Sequence, residues 1–337
     1  MKKQIYKITF PTNKIYIGKG VNGHPLNFDI EDDARLNADF ALLPKRLQHN
    51  WTLRKEILWE SDSCSDEVLS QKVVDFINDY QSNDPAIGYN LSPAFQPGNN
   101  VSGAWSIGID GCKGGWFYAA SNTQQHNIGV VATLNELLEL FEPIRLLIID
   151  IPIGLYNAGS APRQCDVQAR KLLKPRGSTV FPAPVRPCLV AGSYAQACEI
   201  SEKLTGKKLS QQAYHIFEKI KEVDDLLRSQ PCLAEIIREA HPELGFCMLN
   251  QGTPLLTSKK EPNGIKERLD LLRQRLPITS ALYEQALNQF ARKVLARDDI
   301  VDALMCLCIA NAPLPEQIPT SVELDPEGLP MAMRFIS

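Results

Sequence analysis

The chain has 337 residues, long enough for two domains that each bury a core. Its 44 % apolar and 22 % charged residues are the proportions of a folded globular protein, and no apolar run is long enough to span a bilayer. A net charge of −3 excludes a protein that coats nucleic acid without preference, and leaves room for one that grips a few phosphates locally.

The N-terminus leads from Met1-Lys-Lys straight into a strand-like segment, with no signal peptide. A cytoplasmic location with no membrane partner is therefore expected. Residues 4–10 and 14–18 read as short strands around Pro11-Thr-Asn13, a hairpin signal. An acidic stretch from Asp29 to Asp39 follows, then a helical segment near 42–49. Residues 54–59 predict a third strand. Residues 66–80 predict a helix with Val68, Val73, Phe76, Ile77 and Tyr80 on or near one face. The order is β-β-α-β-α. Pro, Gly and Asn crowd residues 92–104, and no periodicity crosses them. That places a linker at 94–104, between a first domain at 1–93 and a second at 105–315.

In the second domain, residues 106–110, 115–120 and 128–132 predict strands, 134–141 a helix and 145–150 a fourth strand. Residues 163–174 and 194–229 predict helices, the latter broken near Thr205-Gly206. A fifth strand is expected at 234–240, and Pro242 suits the start of the next helix. Helical segments at 264–275, 280–295 and 298–310 close the domain, leaving 316–337 as a tail. The fold class is α/β, with helices packed on a mixed sheet and a helical region inserted between the fourth and fifth strands. Nine cysteines without a CxxC pair fit neither a zinc ribbon nor a disulfide framework, and read as buried reduced thiols.

The chemistry points to acids. Asp110 ends an apolar run before the glycine turn Gly111-Cys-Lys-Gly-Gly115, and Asp150 ends another before Pro152 stops the strand. Glu239 falls at the end of the expected fifth strand. Asp299 and Asp302 share one face of the last helix. An N-cap role accounts for Asp298. Asp302, heading the apolar run 303–310, calls for a partner. Gathered carboxylates repel, so a fold that collects them usually needs a cation. Two Mg2+ or Mn2+ ions held by Asp110, Asp150, Glu239, Asp299 and Asp302, with Asp110 bridging both, would form a phosphodiester-cleaving device. Glu243 lies in the first turn of a helix, where the helix dipole already explains an acid, so Glu239 is the favoured ligand. His241 is either a proton shuttle or a structural hydrogen-bonder. Lys113, Arg170 and Arg186 are candidate phosphate contacts, alongside Arg176. An internal Arg–Asp network in residues 163–186 is the equal alternative.

Two resemblances extend this reading. Ile5-Tyr6-Lys-Ile-Thr-Phe-Pro-Thr-Asn-Lys-Ile-Tyr16-Ile-Gly18-Lys19, with the closing Gly88-Tyr89-Asn90-Leu91, resembles a GIY-YIG nuclease domain across residues 3–93. The resemblance implies a single-metal site with the two tyrosines, an arginine (Arg35 or Arg46) and a metal-binding glutamate. The glutamate position holds Val73, and without that carboxylate Mg2+ is poorly held. The first module is therefore expected to recruit nucleic acid through Tyr6, Tyr16, Lys19 and Asn90 rather than to cut it. The alternative is that Tyr6 and Tyr16 simply pack the small sheet.

In the second domain six segments run in order across residues 105–312. They are Gly108-Ile-Asp110-Gly-Cys-Lys-Gly-Gly-Trp116, Ile149-Asp-Ile-Pro-Ile-Gly-Leu155, Arg163-Gln-Cys-Asp166-Val-Gln-Ala-Arg170, Thr179-Val-Phe-Pro-Ala-Pro-Val-Arg186, Glu239-Ala-His-Pro-Glu243 and Asp298-Asp-Ile-Val-Asp-Ala-Leu304. Together they resemble an uncharacterised family of predicted RNase H-like nucleases. The closing helix is also similar to that of a Holliday-junction resolvase. The resemblance implies a metal-dependent nuclease with nucleic acid as its partner. Two rivals stand beside it. RNase H-like folds are shared with actin-like ATPases and sugar kinases, in which a hairpin such as 108–116 cradles ATP phosphates. Both modules could instead form a non-catalytic nucleic-acid-binding adaptor.

Overall fold

The computed structural model describes residues 2–12, 14–21, 33–43, 45–49, 52–85, 87–94, 103–122 and 124–337. The chain divides into two compact units, Met1–Ser102 and Gly103–Ser337. Asn13 of the hairpin signal, residues 29–32 of the acidic stretch, residues 95–102 of the expected linker and the side chain of Arg46 lie outside the described residues.

Unit 1 runs β1 (Lys3–Thr9), β2 (Ile15–Val21), α1 (Asp33–Leu42), α2 (Lys45–His49), β3 (Arg54–Ser61) and α3 (Asp66–Asp79). α2 occupies the helical segment expected near 42–49, and most of the acidic stretch before it forms α1. The strands form an antiparallel sheet in the order β2-β1-β3. Alternation along the strands sends Ile5 and Ile17 toward Leu69 and Ile77 of α3, and Tyr6, Ile8 and Tyr16 to the other face with Phe10 and Tyr89. Ser65 caps α3 by accepting the Val68 N–H at 3.2 Å.

Unit 2 opens with β4 (Trp105–Cys112), β5 (Gly115–Ser121), β6 (His126–Val131), α4 (Leu134–Leu140) and β7 (Ile144–Ile149). The helices α5 (Gln164–Leu172), α6 (Tyr194–Thr205), α7 (Gln211–His215) and α8 (Phe217–Ser229) follow as an insertion before β8 (Ile237–Ala240). Then come α9 (Pro242–Leu249), α10 (Pro262–Arg275), α11 (Thr279–Gln289), α12 (Arg297–Asn311), β9 (Glu316–Leu324) and β10 (Pro330–Phe335). The seven strands form one mixed sheet, β6-β5-β4-β7-β8-β10-β9. β4, β7, β8 and β10 run parallel, while β5, β6 and β9 are antiparallel to their neighbours.

Three expectations change. Residues 231–235 form a 3-10 turn, so the fifth strand starts only at Ile237. The helix expected over 280–295 stops at Gln289. The segment expected as a tail instead supplies β9 and β10, with β10 inserted beside β8. Pro315, Pro319, Pro326 and Pro330 punctuate that segment and hide its strand character in the sequence. Among the described residues, no helix is long and apolar enough to cross a membrane.

Helices cover both faces of the sheet. Ile107, Ile109, Leu147, Ile149 and Ile237 face a layer with α4, α6 and α8. Phe117, Ala119, Ile148 and Ala240 face α10, α11 and α12. α12 is buried continuously from Ile300 to Ala310, as expected of a helix apolar all round. It lies directly on β4 because Gly108 carries no side chain. A Cβ there would fall inside 3.0 Å of the backbone of Ala303, Cys306 and Leu307. At its far end, α12 is pinned by Arg145, which donates to the carbonyls of Ala310 and Ala312. Gly108→Ala is therefore expected to destabilise unit 2 by about 3 kcal/mol or more, through overpacking against main chain that cannot rotate away. Chemical denaturation of the full chain measures this; an unchanged midpoint would show that α12 does not rest on this glycine.

Candidate active site

The pleat decides which acids meet. Gly108 lies against α12, so Asp110, two residues on, shares that face. Ile148 packs on the α12 side, and Asp150 follows two residues later, just beyond β7. Asp302, one turn into α12, is 1 % exposed and completes the group. Thus adjacent parallel strands and the helix across them bring three carboxylates together.

Their charges act on one another. Burial pushes the Asp110 carboxyl well above the usual carboxylate range, and the charges of Asp302 and Asp150 push it further. Burial also raises Asp150, and Glu243 adds to the effect. Burial pushes Asp302 up to about 7, against the opposing pull of Lys259. Lys259, in the segment between α9 and α10, ion-pairs with Asp302 Oδ2. Burial works against its charge, but Asp302, Asp110 and Asp150 outweigh that and hold its pKa above the usual lysine value. Its side chain keeps 33 % exposure, which puts it at the mouth of the site rather than the floor. Asp302 Oδ1 is buried with no hydrogen-bond partner.

The surrounding groups fix this arrangement. The Gly111 N–H donates to Asp110 Oδ1 at 2.7 Å. Asp299 accepts the Ala296 N–H at 3.1 Å, so it, not Asp298, caps α12. Its charge still acts on Asp110. Glu243 is held by Arg268, Nε to Oε1 at 2.9 Å and Nη2 to Oε2 at 2.8 Å, a buried fork that orients it while its charge reaches Asp150 and Asp302. His241 shares Nε2 with the Thr179 carbonyl at 3.3 Å and leaves Nδ1 buried without a partner.

Glu239 is a correction. It pairs in register with Ile149 and so takes the opposite face of the sheet from Asp150. There it accepts Arg163 Nη1 at 2.8 Å, Arg163 Nη2 at 2.9 Å and the Ile153 N–H at 2.7 Å. Cys165, Asp166 and Glu239 do offer ligand atoms within 4.8 Å of one another, a closer grouping than the three aspartates. Arg163 already fills it: burial opposes its charge, but Glu239 and Asp166 outweigh burial and hold the guanidinium protonated. The acid that belongs with the aspartates is Glu243.

The predicted contact residues divide. Arg186 is tied to Asp224, Asp325 and the Leu155 carbonyl, so it clamps the insertion to the sheet and is not a phosphate grip. Arg176 likewise donates to the carbonyls of Leu255 and Thr257. Arg170 donates Nε to the Val180 carbonyl at 2.6 Å while remaining exposed, and Lys113 is exposed. In unit 1, Tyr6, Tyr16 and Asn90 are buried. Asn90 spends its amide on the N–H and C=O of Ile17, both at 2.9 Å, so it is a structural clamp on β2. Of the four contacts expected in unit 1, Lys19 is exposed, donating to Ser70 at 3.0 Å. Val73 packs partly buried against the core formed with α3.

Residues 108–323 match the family described as proteins of unknown function, DUF429. The chain belongs to that family. The DUF429 region begins within β4 and ends within β9, so it contains Asp110, Asp150, Glu243, Lys259, Asp299 and Asp302. No curated protein and no solved structure matches the chain.

The crowding yields a stability prediction. Asp110 has a folded pKa above its unfolded value, so ionising it costs stability as pH rises from the unfolded pKa toward the folded one. Asparagine keeps the acceptor for Gly111 and removes the charge. Asp110→Asn should stabilise the metal-free protein at pH 8 by on the order of 1 kcal/mol or more, the worth of one pKa unit. The gain should shrink toward pH 4. Thermal melts across pH in EDTA check this; a destabilised variant at pH 8 would mean that the carboxylates do not strain the fold.

Proposed function

We propose that unit 2 is a divalent-metal-dependent nuclease of RNase H-like architecture that hydrolyses phosphodiester bonds in nucleic acid. The observation that carries this reading is Asp302 Oδ1, a buried carboxylate oxygen without a partner in a cluster of like charges. A buried acceptor left unpaired is costly, and a hard cation is the group that oxygen donors of this kind take. Lys259 offsets only part of the charge of three aspartates. The architecture is supported by the first five strands of unit 2, which stand in the order third, second, first, fourth, fifth, with the first, fourth and fifth parallel.

Asp110, Asp150 and Asp302 would hold Mg2+ or Mn2+, with Glu243 and Asp299 at the rim. Such ions, when bound, stabilise charge on phosphoryl oxygens and make water nucleophilic at neutral pH. The protein's own part is orientation. Gly111 fixes Asp110, Arg268 fixes Glu243, and the pinned α12 fixes Asp302. His241 stands beside Asp150, whose carboxyl its charge lowers, with a ring nitrogen placed to take or give a proton. Lys259, at the mouth, is placed to meet an incoming phosphate.

For unit 1 the reading is a GIY-YIG-like module without its metal carboxylate, which recruits substrate. It is supported by Tyr6 and Tyr16 on paired strands, with Gly18 opposite Tyr6, where a Cβ would fall inside 3.0 Å of the Tyr6 ring. Recruitment would then fall to exposed cations such as Lys19 rather than to the buried tyrosines.

The test is purified full-length protein with end-labelled DNA and RNA in Mn2+. Cleavage is expected, reduced at least about 100-fold in Asp150→Asn, as befits loss of a metal ligand. No cleavage of either nucleic acid, or cleavage that Asp150→Asn leaves untouched, contradicts the proposal.

A further inference from the structure

A second polar site lies between β8 and the β9–β10 hairpin, displaced along the sheet from the aspartates. A cavity of about 240 Å3 is lined by Arg238, Arg334 and Gln317, with Ile153, Glu239 and Ala332. That is far above the roughly 10–15 Å3 needed to admit one water. Sheet register gathers the polar groups. Gln317 of β9 lies opposite Arg334 of β10, and Arg334 lies opposite Ala240 of β8. Arg238 is two residues before Ala240 and shares its face. Three strands therefore present two guanidiniums and an amide from one side of the sheet.

These guanidiniums are poorly compensated. Together they carry roughly ten N–H donors. Arg334 donates to the Pro315 carbonyl at 3.4 Å, and Arg238 meets the largely exposed Glu235 at 3.5 Å. Glu239 lines the same cavity, but Arg163 and the Ile153 N–H already engage both of its oxygens. Burial, and then the charge of Arg238, push Arg334 down to about 10. Gln317 Oε1 is buried with no partner. Exchanging the two ends of that amide turns an unpaired acceptor into a donor aimed the same way. Two like charges held half-buried side by side, with an amide that gains by donating, are complementary to an oxyanion.

We infer that the cavity between β8 and the β9–β10 hairpin binds a phosphate group, gripped by Arg238 and Arg334 and seated on Gln317. The site lies outside the aspartate cluster and needs no metal. A free phosphate ion and a phosphomonoester present the same oxygens to it, and the β10–β9 edge leaves the sources to be distinguished by experiment.

The test uses the full-length protein in EDTA, so that the metal site plays no part. Inorganic phosphate and glycerol 3-phosphate are titrated by calorimetry and thermal melt, with chloride at matched ionic strength as control. Either probe is expected to bind with Kd below about 1 mM and to raise Tm, while chloride does not. Arg334→Gln and, separately, Arg238→Gln should each weaken binding at least tenfold, about the worth of one charge-assisted hydrogen bond. Without phosphate, neither variant should melt below wild type, because each removes one of two repelling charges. Binding of neither probe at about 10 mM, or equal affinity in wild type and both variants, overturns the inference. So does a lowered Tm in both variants without phosphate, which would make the arginines structural.

Discussion

Unit 2 is organised around a repulsion. Three aspartates, Asp302 buried and Asp110 and Asp150 partly buried, are held near one another on one face of the sheet, and their charges resist ionisation. Hydrophobic packing supplies the force that holds them. α12 buries a continuous apolar run against β4, and the missing side chain at Gly108 lets it come close enough to deliver Asp302. The lysine that answers the repulsion comes from neither the sheet nor α12, but from the segment between α9 and α10. The sheet, the central helix and that segment are thus coupled through one patch of charge. A cation entering the patch would stabilise the fold as well as equip the site.

Charges on the other face are treated differently. Glu239 and Asp166 close on Arg163, and Asp224 and Asp325 close on Arg186. Each pair of acids shares one guanidinium. Such pairs register the inserted helices on the sheet, and removing one partner would strand a buried charge. The aspartates have no fork, only a lysine at the mouth. That contrast separates the acids that hold the fold from those left available for chemistry.

Much of this is legible in the sequence. The place of Asp150 just past β7 follows from an apolar run that stops before Pro152, Asp110 lies two residues short of the end of β4 rather than at it, and the apolar run after Asp302 marks a buried helix with an acid at its head. Glu239 was misassigned for a physical reason. The 3-10 turn at 231–235 makes β8 only four residues long, too short for its pattern to declare which face each residue takes. Lys259 was invisible because the loop Thr257-Ser-Lys-Lys-Glu261 has no period, and a lysine there looks like any solvated charge. The burial of Tyr6, Tyr16 and Asn90 was not legible, because it depends on strands paired across the module. β9 and β10 were masked by prolines.

Asp110, Asp150 and Asp302 are proposed to form a divalent-metal centre. Anomalous diffraction from crystals grown in Mn2+ addresses it most directly. The account predicts metal density among these three carboxylates, two peaks roughly 4 Å apart if both ions are bound, with the Lys259 ammonium moved off Asp302. Crystals in which Lys259 keeps its ion pair and no manganese lies there, or in which manganese sits instead at Cys165, Asp166 and Glu239, would contradict it.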